Sequence, residues 1–387
     1  MDKEYIKDII QSILNKEFPH NYKKREIVEY NDRFNFACPY CGDSAKNNYA
    51  KRGNLYLDNL FYICFNCDKK TTFYKMCKDF EIVLDPSKKM EMTDYINNNM
   101  SFNDYADDIV NAKTDALINI DDLINAINTK DNINITDFTP IKKGGIVYNY
   151  LINRGIPPNL HKNIFQAKYW TKSSYQWVIC ILNRKDDNIL GMQIRNILYG
   201  KKRMFKIYNY EALMNIVYPE KIKDIDETDL ILYNKLSYFF NILNIDINHK
   251  ITIFEGYLDS LFYPNSIGVV GVNTDMKLIE NNNLDIQYLF DNDMAGFIKS
   301  EQKMKEGYPV FLWKKFFEDI IKKTNPKDPY KKMNDMSKIK DLNNLAQIVN
   351  NPYKSLSLDN YYSRDIFDIE YVKSKSSKNF SNKSFQF

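Results

Sequence analysis

The chain has 387 residues, 54 Lys and Arg against 50 Asp and Glu, and a 44% hydrophobic content. That length exceeds what one core usually organises, so two or three domains are expected, and a formal charge of +4 neither requires nor excludes a polyanionic partner. No run is long and apolar enough to span a bilayer and none resembles a signal peptide, so a cytoplasmic protein without a membrane role is expected; six cysteines, four of them in Cys-x-x-Cys pairs, fit a metal site in a reducing compartment.

The first predicted element is a helix whose apolar face is Tyr5, Ile6, Ile9, Ile10, Ile13 and Leu14. The pairs Cys38-Pro-Tyr-Cys41 and Cys64-Phe-Asn-Cys67 follow, with strand-like Leu55 to Leu57 and Phe61 to Ile63 between them. Two such knuckles supply the four thiolates that structural zinc prefers, and Gly42 permits the turn after the first. A redox dithiol would leave the second pair unexplained, while Cys77 and Cys180 read as buried small residues and His20 as no ligand. Tyr40, Tyr49, Lys51, Arg52 and Phe65 are candidates either to stack on nucleic acid or merely to cover the knuckles.

Residues 81–143 are rich in Asn and Asp and read as a partly helical linker. A helix is predicted around Val147 to Leu151, stopped by Arg154-Gly155, then strands over Trp177 to Leu182 and Ile189 to Ile197 joined by a polar turn at Asp186-Asp187-Asn188. Lys201-Lys202-Arg203 is one of several basic concentrations that read equally as solvated surface. From Ile251 to Trp313 short apolar strands alternate with helices, the pattern of parallel strands in an α/β sheet. The last seventeen residues hold four lysines, five serines and no acids, and are expected to be disordered. The chain has no P-loop motif.

Strand Ile251–Phe254 ends at Glu255-Gly256, with Asp259 one turn later, and strand Ile286 to Phe290 ends at Asp291-Asn-Asp293. Carboxyl ends of parallel strands collect ligands, so Glu255, Asp291 and Asp293 are expected in one crevice. Clustered carboxylates call for hard cations, Mg²⁺ or Mn²⁺, and suit phosphoryl or nucleotidyl transfer. Asp259 is expected to orient Glu255 or to cap the following helix.

Phe254-Glu255-Gly256-Tyr-Leu-Asp259 and Leu289-Phe-Asp291-Asn-Asp293-Met-Ala-Gly296 resemble the two signature motifs of the Toprim domain. With the zinc module ahead of them, the order is similar to bacterial replicative and phage DNA primases. Tyr150-Leu-Ile-Asn-Arg154-Gly-Ile156, Leu190-Gly-Met-Gln-Ile-Arg195 and Arg203-Met-Phe-Lys206-Ile-Tyr208 resemble that family's helix and Arg-Gly turn and its basic strands. The resemblance covers roughly residues 32–80 and 144–340.

It implies a multi-domain α/β protein: helix and zinc ribbon over 1–80, a linker over 81–143, a basic α+β subdomain over 144–250, a Toprim domain with a mostly parallel sheet over 251–345, and a C-terminal segment over 346–387. It also implies RNA primer synthesis on single-stranded DNA from ribonucleoside triphosphates, with one structural zinc and catalytic Mg²⁺ or Mn²⁺. Glu255, Asp291, Asp293 and Asp259 would carry the chemistry; Arg195, Arg203 and Lys206, with Lys202 and Arg154, would bind template or nucleotide. The family's further acidic position lies in a Lys-Asp-x-Asn-Asp/Glu pattern, for which Asp328 and Asp335 compete in the stretch Lys327 to Asp335. Without a P-loop, a helicase would be a separate chain, and composition fits a phage or mobile element. The alternatives are a Toprim nuclease or topoisomerase, or a DNA-binding recombination mediator.

Overall fold

The computed structural model describes residues 3–18, 26–43, 50–57, 60–99, 117–129, 134–171, 174–197, 205–270, 274, 276–280 and 284–370. His20, Tyr49, Lys202, Arg203 and the serine-rich tail lie outside these. The chain forms two compact units, one of Met1–Tyr105, Lys223–Leu232 and Lys277–Asn281, the other of Ala106–Ile222, Tyr233–Met276 and Asn282–Phe387.

In the first unit, strands β1 (Val28–Glu29), β2 (Arg33–Phe36), β3 (Gly53–Tyr56), β4 (Phe61–Cys64) and β5 (Lys70–Thr72) form an antiparallel sheet in sequence order. Except between β2 and β3, the connections are short, so hairpin pairing is the available solution there. Phe34, Leu55, Tyr62 and Phe73 are buried. Helix α1 (Lys3–Glu17) buries Ile6, Ile9, Ile10 and Leu14 as its periodicity predicts, and Thr72 caps α2 (Phe73–Asp79) through the Lys75 N–H. Helix α3 (Pro86–Asn99) completes this part of the chain.

The second unit holds two sheets. One runs β11 (Phe205–Tyr208), β10 (Asn188–Asn196), β9 (Tyr175–Lys185), β8 (Ile164–Trp170), β7 (Ile135–Pro140), with β6 (Ile118–Asn119) also on β10, and is wholly antiparallel. The expected turn at Asp186-Asp187 joins β9 to β10. The other runs β12 (Phe239–Phe240), β14 (Ser266–Val269), β13 (Ile251–Phe254), β15 (Ile286–Leu289), β16 (Val310–Phe311), β17 (Tyr362–Ser363). Its four inner strands pair in parallel and both edges pair antiparallel. The chain is thus mixed α/β, and most of its strand pairing is antiparallel.

Three expected boundaries differ. Residues 118–140 are not linker: β6 and β7 are sheet strands, and α4 (Ile120–Thr129) buries Ile120, Leu123, Ala126 and Ile127. Their Asn and Asp residues occupy the exposed positions of an amphipathic pattern, which made the segment look featureless. The third sheet also extends past both ends of 251–345, to β12 and β17. Residues 212–250 acquire a role here: the buried Asn183 donates to the carbonyls of Leu236 (3.1 Å) and Phe239 (3.0 Å) and accepts from the Asn241 N–H. Finally, Ile164, Ile179 and Ile181 of one sheet share a core with Phe254, Leu258, Leu289 and Phe316 of the other part, so no interface separates a basic subdomain from the acidic sheet.

Helix α5 (Ile146–Asn153) ends at the Arg154-Gly155 stop as predicted. Gly155 has φ +74°, and a Cβ there would sit 2.7 Å from the Ala346 carbonyl oxygen. Gly155→Ala should therefore lower stability by about 2 kcal/mol or more, read as a shifted denaturant midpoint. An unchanged midpoint would contradict the close approach.

Candidate functional site

Cys38 and Cys41 lie in the turn after β2, Cys64 ends β4 and Cys67 lies in the turn before β5. Their four sulfurs are all within 4.8 Å of one another, with Cys38–Cys67 at 3.9 Å and Cys41–Cys64 at 3.8 Å. A tetrahedron of ~2.3 Å zinc–sulfur bonds has edges of about 3.8 Å, the spacing of those two pairs, so the donor set fits zinc. The backbone prepares this: Gly42, at φ +66°, donates to the Cys38 carbonyl, and Asp43 accepts from the Cys38 N–H at 2.9 Å. Gly53, paired with Cys64, leaves room for the Tyr62 ring beneath.

Burial pushes the thiols of Cys38 and Cys64 up; at Cys41 burial is outweighed by hydrogen bonding from Asn66 and the Asp43 backbone, which brings it down to about 7. Zinc would displace protons from the first two and meet a partly ionised third. Cys77 and Cys180 are buried away from this set, as expected; burial alone raises Cys180, and with the Glu17 charge it raises Cys77 to about 12. Tyr40 covers the module: it rests on Tyr62 and Phe80 and donates to Asp79 at 2.9 Å. Phe65 is 64% exposed.

In the second unit β13 and β15 run side by side with Phe254 opposite Leu289, so Glu255 and Asp291 leave the sheet together. The Asp291 N–H donates to Glu255 Oε1 at 3.3 Å. Asp293 caps α6 (Met294–Lys305) through the N–H groups of Ala295 and Gly296, and a side chain at Gly296 would collide with the Asp291 carbonyl. This is why Gly follows Asp-Asn-Asp at that spacing.

The buried Asn292 places the next loop. Its N–H donates to the Lys340 carbonyl at 2.5 Å and its Nδ2 to the Ile339 carbonyl at 2.8 Å. Asp341 follows directly and joins the acidic group. It caps helix α7 (Leu342–Ala346) through the Asn344 N–H at 2.6 Å, and burial raises its carboxyl despite Arg154, Lys340 and Arg195. Lys340-Asp341-Leu342-Asn343-Asn344 also carries a contiguous Lys-Asp-x-Asn pattern, with Asn in the last position.

Asp328 instead caps helix Pro329–Met336 and Asp335 pairs with Lys338 at 2.7 Å; neither figures among the charges acting on Asp291. Asp259 neither caps its helix, whose N-cap is Gly256, nor has a described bond to Glu255. It accepts the Asn343 N–H at 2.8 Å, and burial with the charges of Asp341 and Asp291 holds its carboxyl well above the usual range. Asn343 in turn bridges to Arg154, accepting from Nε at 2.6 Å and donating to the Arg154 carbonyl at 2.7 Å. Burial opposes the Arg154 charge, but Tyr150, Asp341 and Asp259 outweigh it.

Two lysines balance the open side: Lys299 lies 2.5 Å from Glu255 and Lys340 3.5 Å from Asp293. With them in place, the carboxylates are not drawn as close together as the four sulfurs, which form the one such tight ligand group among the described residues. The basic residues expected together divide. Arg195, opposite Ile179 and Phe205, acts on Asp341, whereas Lys206, opposite Ile194, lies on the other face of the sheet against Tyr169 and Tyr208.

No protein-family model and no curated protein matches the chain. Among solved structures it is similar to the zinc-binding and RNA polymerase domains of the Aquifex aeolicus primase, at 12% identity over 80% of this chain and 79% of that one, with a TM-score of 0.24. A score so low does not establish a common arrangement of the whole chain. Among the described residues no helix is long and apolar enough to cross a membrane.

Two outcomes follow from this geometry. Purified protein should carry one zinc per chain, and Cys64→Ser should lose it together with protease resistance of residues 26–79, read by metal analysis and limited digestion. Burial and the charges of Asp341, Glu255 and Asp293 hold the Asp291 carboxyl at about 7. Its folded value is above the unfolded one near 4, so the fold is favoured while the group is protonated and loses that advantage as pH rises to about 7. Without divalent cations, Asp291→Asn should stabilise the protein at pH 8 by on the order of 1–3 kcal/mol relative to its effect at pH 5, measured by denaturant melts.

Proposed function

We propose that the chain is a primase: a DNA-dependent RNA polymerase whose third sheet is a Toprim domain. The observation that carries this reading is the acidic pair Glu255 and Asp291 at the ends of neighbouring parallel strands, with the helix-capping Asp341 acting on Asp291, in a chain that also holds a four-thiolate ribbon. Burial raises Asp341, and burial with its acidic neighbours raises Asp291, so the donor set suits a hard divalent cation that would replace lysines as the balancing charge. Glu255, Asp291 and Asp341 would hold Mg²⁺ or Mn²⁺, with Asp293 as a further oxygen donor, and such ions neutralise phosphate charge during nucleotidyl transfer.

The chain's own residues divide the remaining work. Asp291, held at about 7 by burial and its acidic neighbours, would lose its proton when a cation binds and serve as an oxygen donor. Arg195, on the face toward Asp341, would bind triphosphate or template phosphate, and Arg154 and Asn343 fix Asp259 beneath the acids. The zinc ribbon would contribute template reading through exposed residues such as Phe65, with a separate helicase supplying single strand.

The test is RNA synthesis from ribonucleoside triphosphates and Mg²⁺ on varied single-stranded DNA templates. Wild type should yield short template-complementary RNA, and Glu255→Gln, Asp291→Asn and Asp341→Asn should each reduce it by at least about a hundredfold while retaining zinc. Asp328→Asn should leave it within about twofold. Strand cleavage without synthesis would overturn the reading in favour of a nuclease.

A further inference from the structure

The two oxygens of Glu255 are engaged differently. Oε1 accepts the Asp291 N–H at 3.3 Å, which ties it to the backbone between the strand ends, while Oε2 meets the Lys299 ammonium at 2.5 Å. The oxygen turned away from the backbone, and thus the one that a cation would use first, is the oxygen that Lys299 holds.

Lys299 stands on the second turn of α6, whose cap is Asp293. Side chains on a helix lean toward its N-terminus, and Ala295, four residues back, is too short to obstruct the path, so the ammonium reaches past the first turn to the strand ends. That end of a helix is electropositive and disfavours a cation. The carboxylate is what draws it there, with the Phe290 ring 6.0 Å away. Lys303, one turn further on, is placed otherwise. Its side chain is 13% exposed, pairs with Glu306 at 2.6 Å and lies 5.6 Å over both the Tyr288 and Tyr308 rings. The Lys299 side chain is 50% exposed, and an ion pair so open to water is weak, so changing its partner costs little.

We infer that Lys299 is a resident counter-ion of Glu255 that changes partner as the site fills: it leaves Oε2 when a divalent cation binds there, and its ammonium then pairs with the phosphates of the incoming triphosphate. Cation alone leaves Lys299 without its carboxylate, and triphosphate alone finds Lys299 already engaged. Each ligand therefore favours the other, by the same factor in both directions. The triphosphate as second partner rests on the primase reading; the competition at Glu255 requires only that Glu255 be a cation ligand.

The test titrates Mn²⁺ alone into the full zinc-loaded chain by calorimetry. Lys299→Met should bind it at least about fivefold more tightly than wild type, with an unchanged melting profile. Lys299→Arg, which keeps the charge, should show no tightening, and Glu255→Gln should bind more weakly. Lys303→Met removes the same charge from the next turn and should match wild type within about twofold. At saturating Mn²⁺, Lys299→Met should bind a non-hydrolysable ribonucleoside triphosphate at least about threefold more weakly. Unchanged Mn²⁺ affinity in Lys299→Met, equal tightening in Lys303→Met, or undiminished triphosphate affinity would each overturn the inference. None of these touches the primase reading, which falls instead if Glu255→Gln neither weakens Mn²⁺ binding nor reduces RNA synthesis.

Discussion

Carboxylates that repel one another must be held together by something other than their own charges, and here the holding is done by neutral hydrogen bonds. Asn292 fastens the loop before Asp341 to the end of β15, and Asn343 fastens Asp259 to Arg154. All but the Arg154–Asn343 side-chain bond satisfy a backbone carbonyl or N–H that burial would otherwise leave costly, so the polar groups that order the loops also order the acids. The parallel strands supply a second constraint, because adjacent carboxyl ends deliver Glu255 and Asp291 side by side. Burial, with the charges of Asp341, Glu255 and Asp293, is what raises Asp291.

The zinc module meets the same problem by another route. Four sulfur ligands are brought close together by two turns and a hairpin, above a sheet that buries Phe34, Phe36, Leu55, Leu57, Tyr62 and Phe73. A metal bound there would tie the two knuckles together across this sheet.

What was legible in the sequence was local. The cysteine knuckles, the Glu255-Gly256 and Asp291-Asn-Asp293 strand ends, the stop at Arg154-Gly155 and the turn at Asp186 are each written within a few residues, and the structure places them as such. What was not legible depended on long-range pairing. Asp341 acts on Asp291 from about fifty residues along the chain, beyond the helix Pro329–Met336, and nothing local in the sequence marks that approach. Arg195 and Lys206 looked alike as basic strand residues; only the register of β10 against β11 reveals that they face opposite sides. The polar stretch before residue 144 hid a strand because its few buried positions, Ile135 and Phe138, are interrupted by a register shift.

Strand β17 lies at the edge of the acidic sheet, with Tyr362 opposite Phe311 and Ser363 opposite Val310, and the Leu312 N–H reaches the Tyr361 carbonyl. β17 is made some fifty residues after its neighbour β16. Until then β16 presents an open apolar edge, so during synthesis the nascent sheet has an exposed flank that other nascent chains, or a chaperone, can occupy first. The acidic sheet is thus completed only after the strands that carry Glu255 and Asp291 have been made.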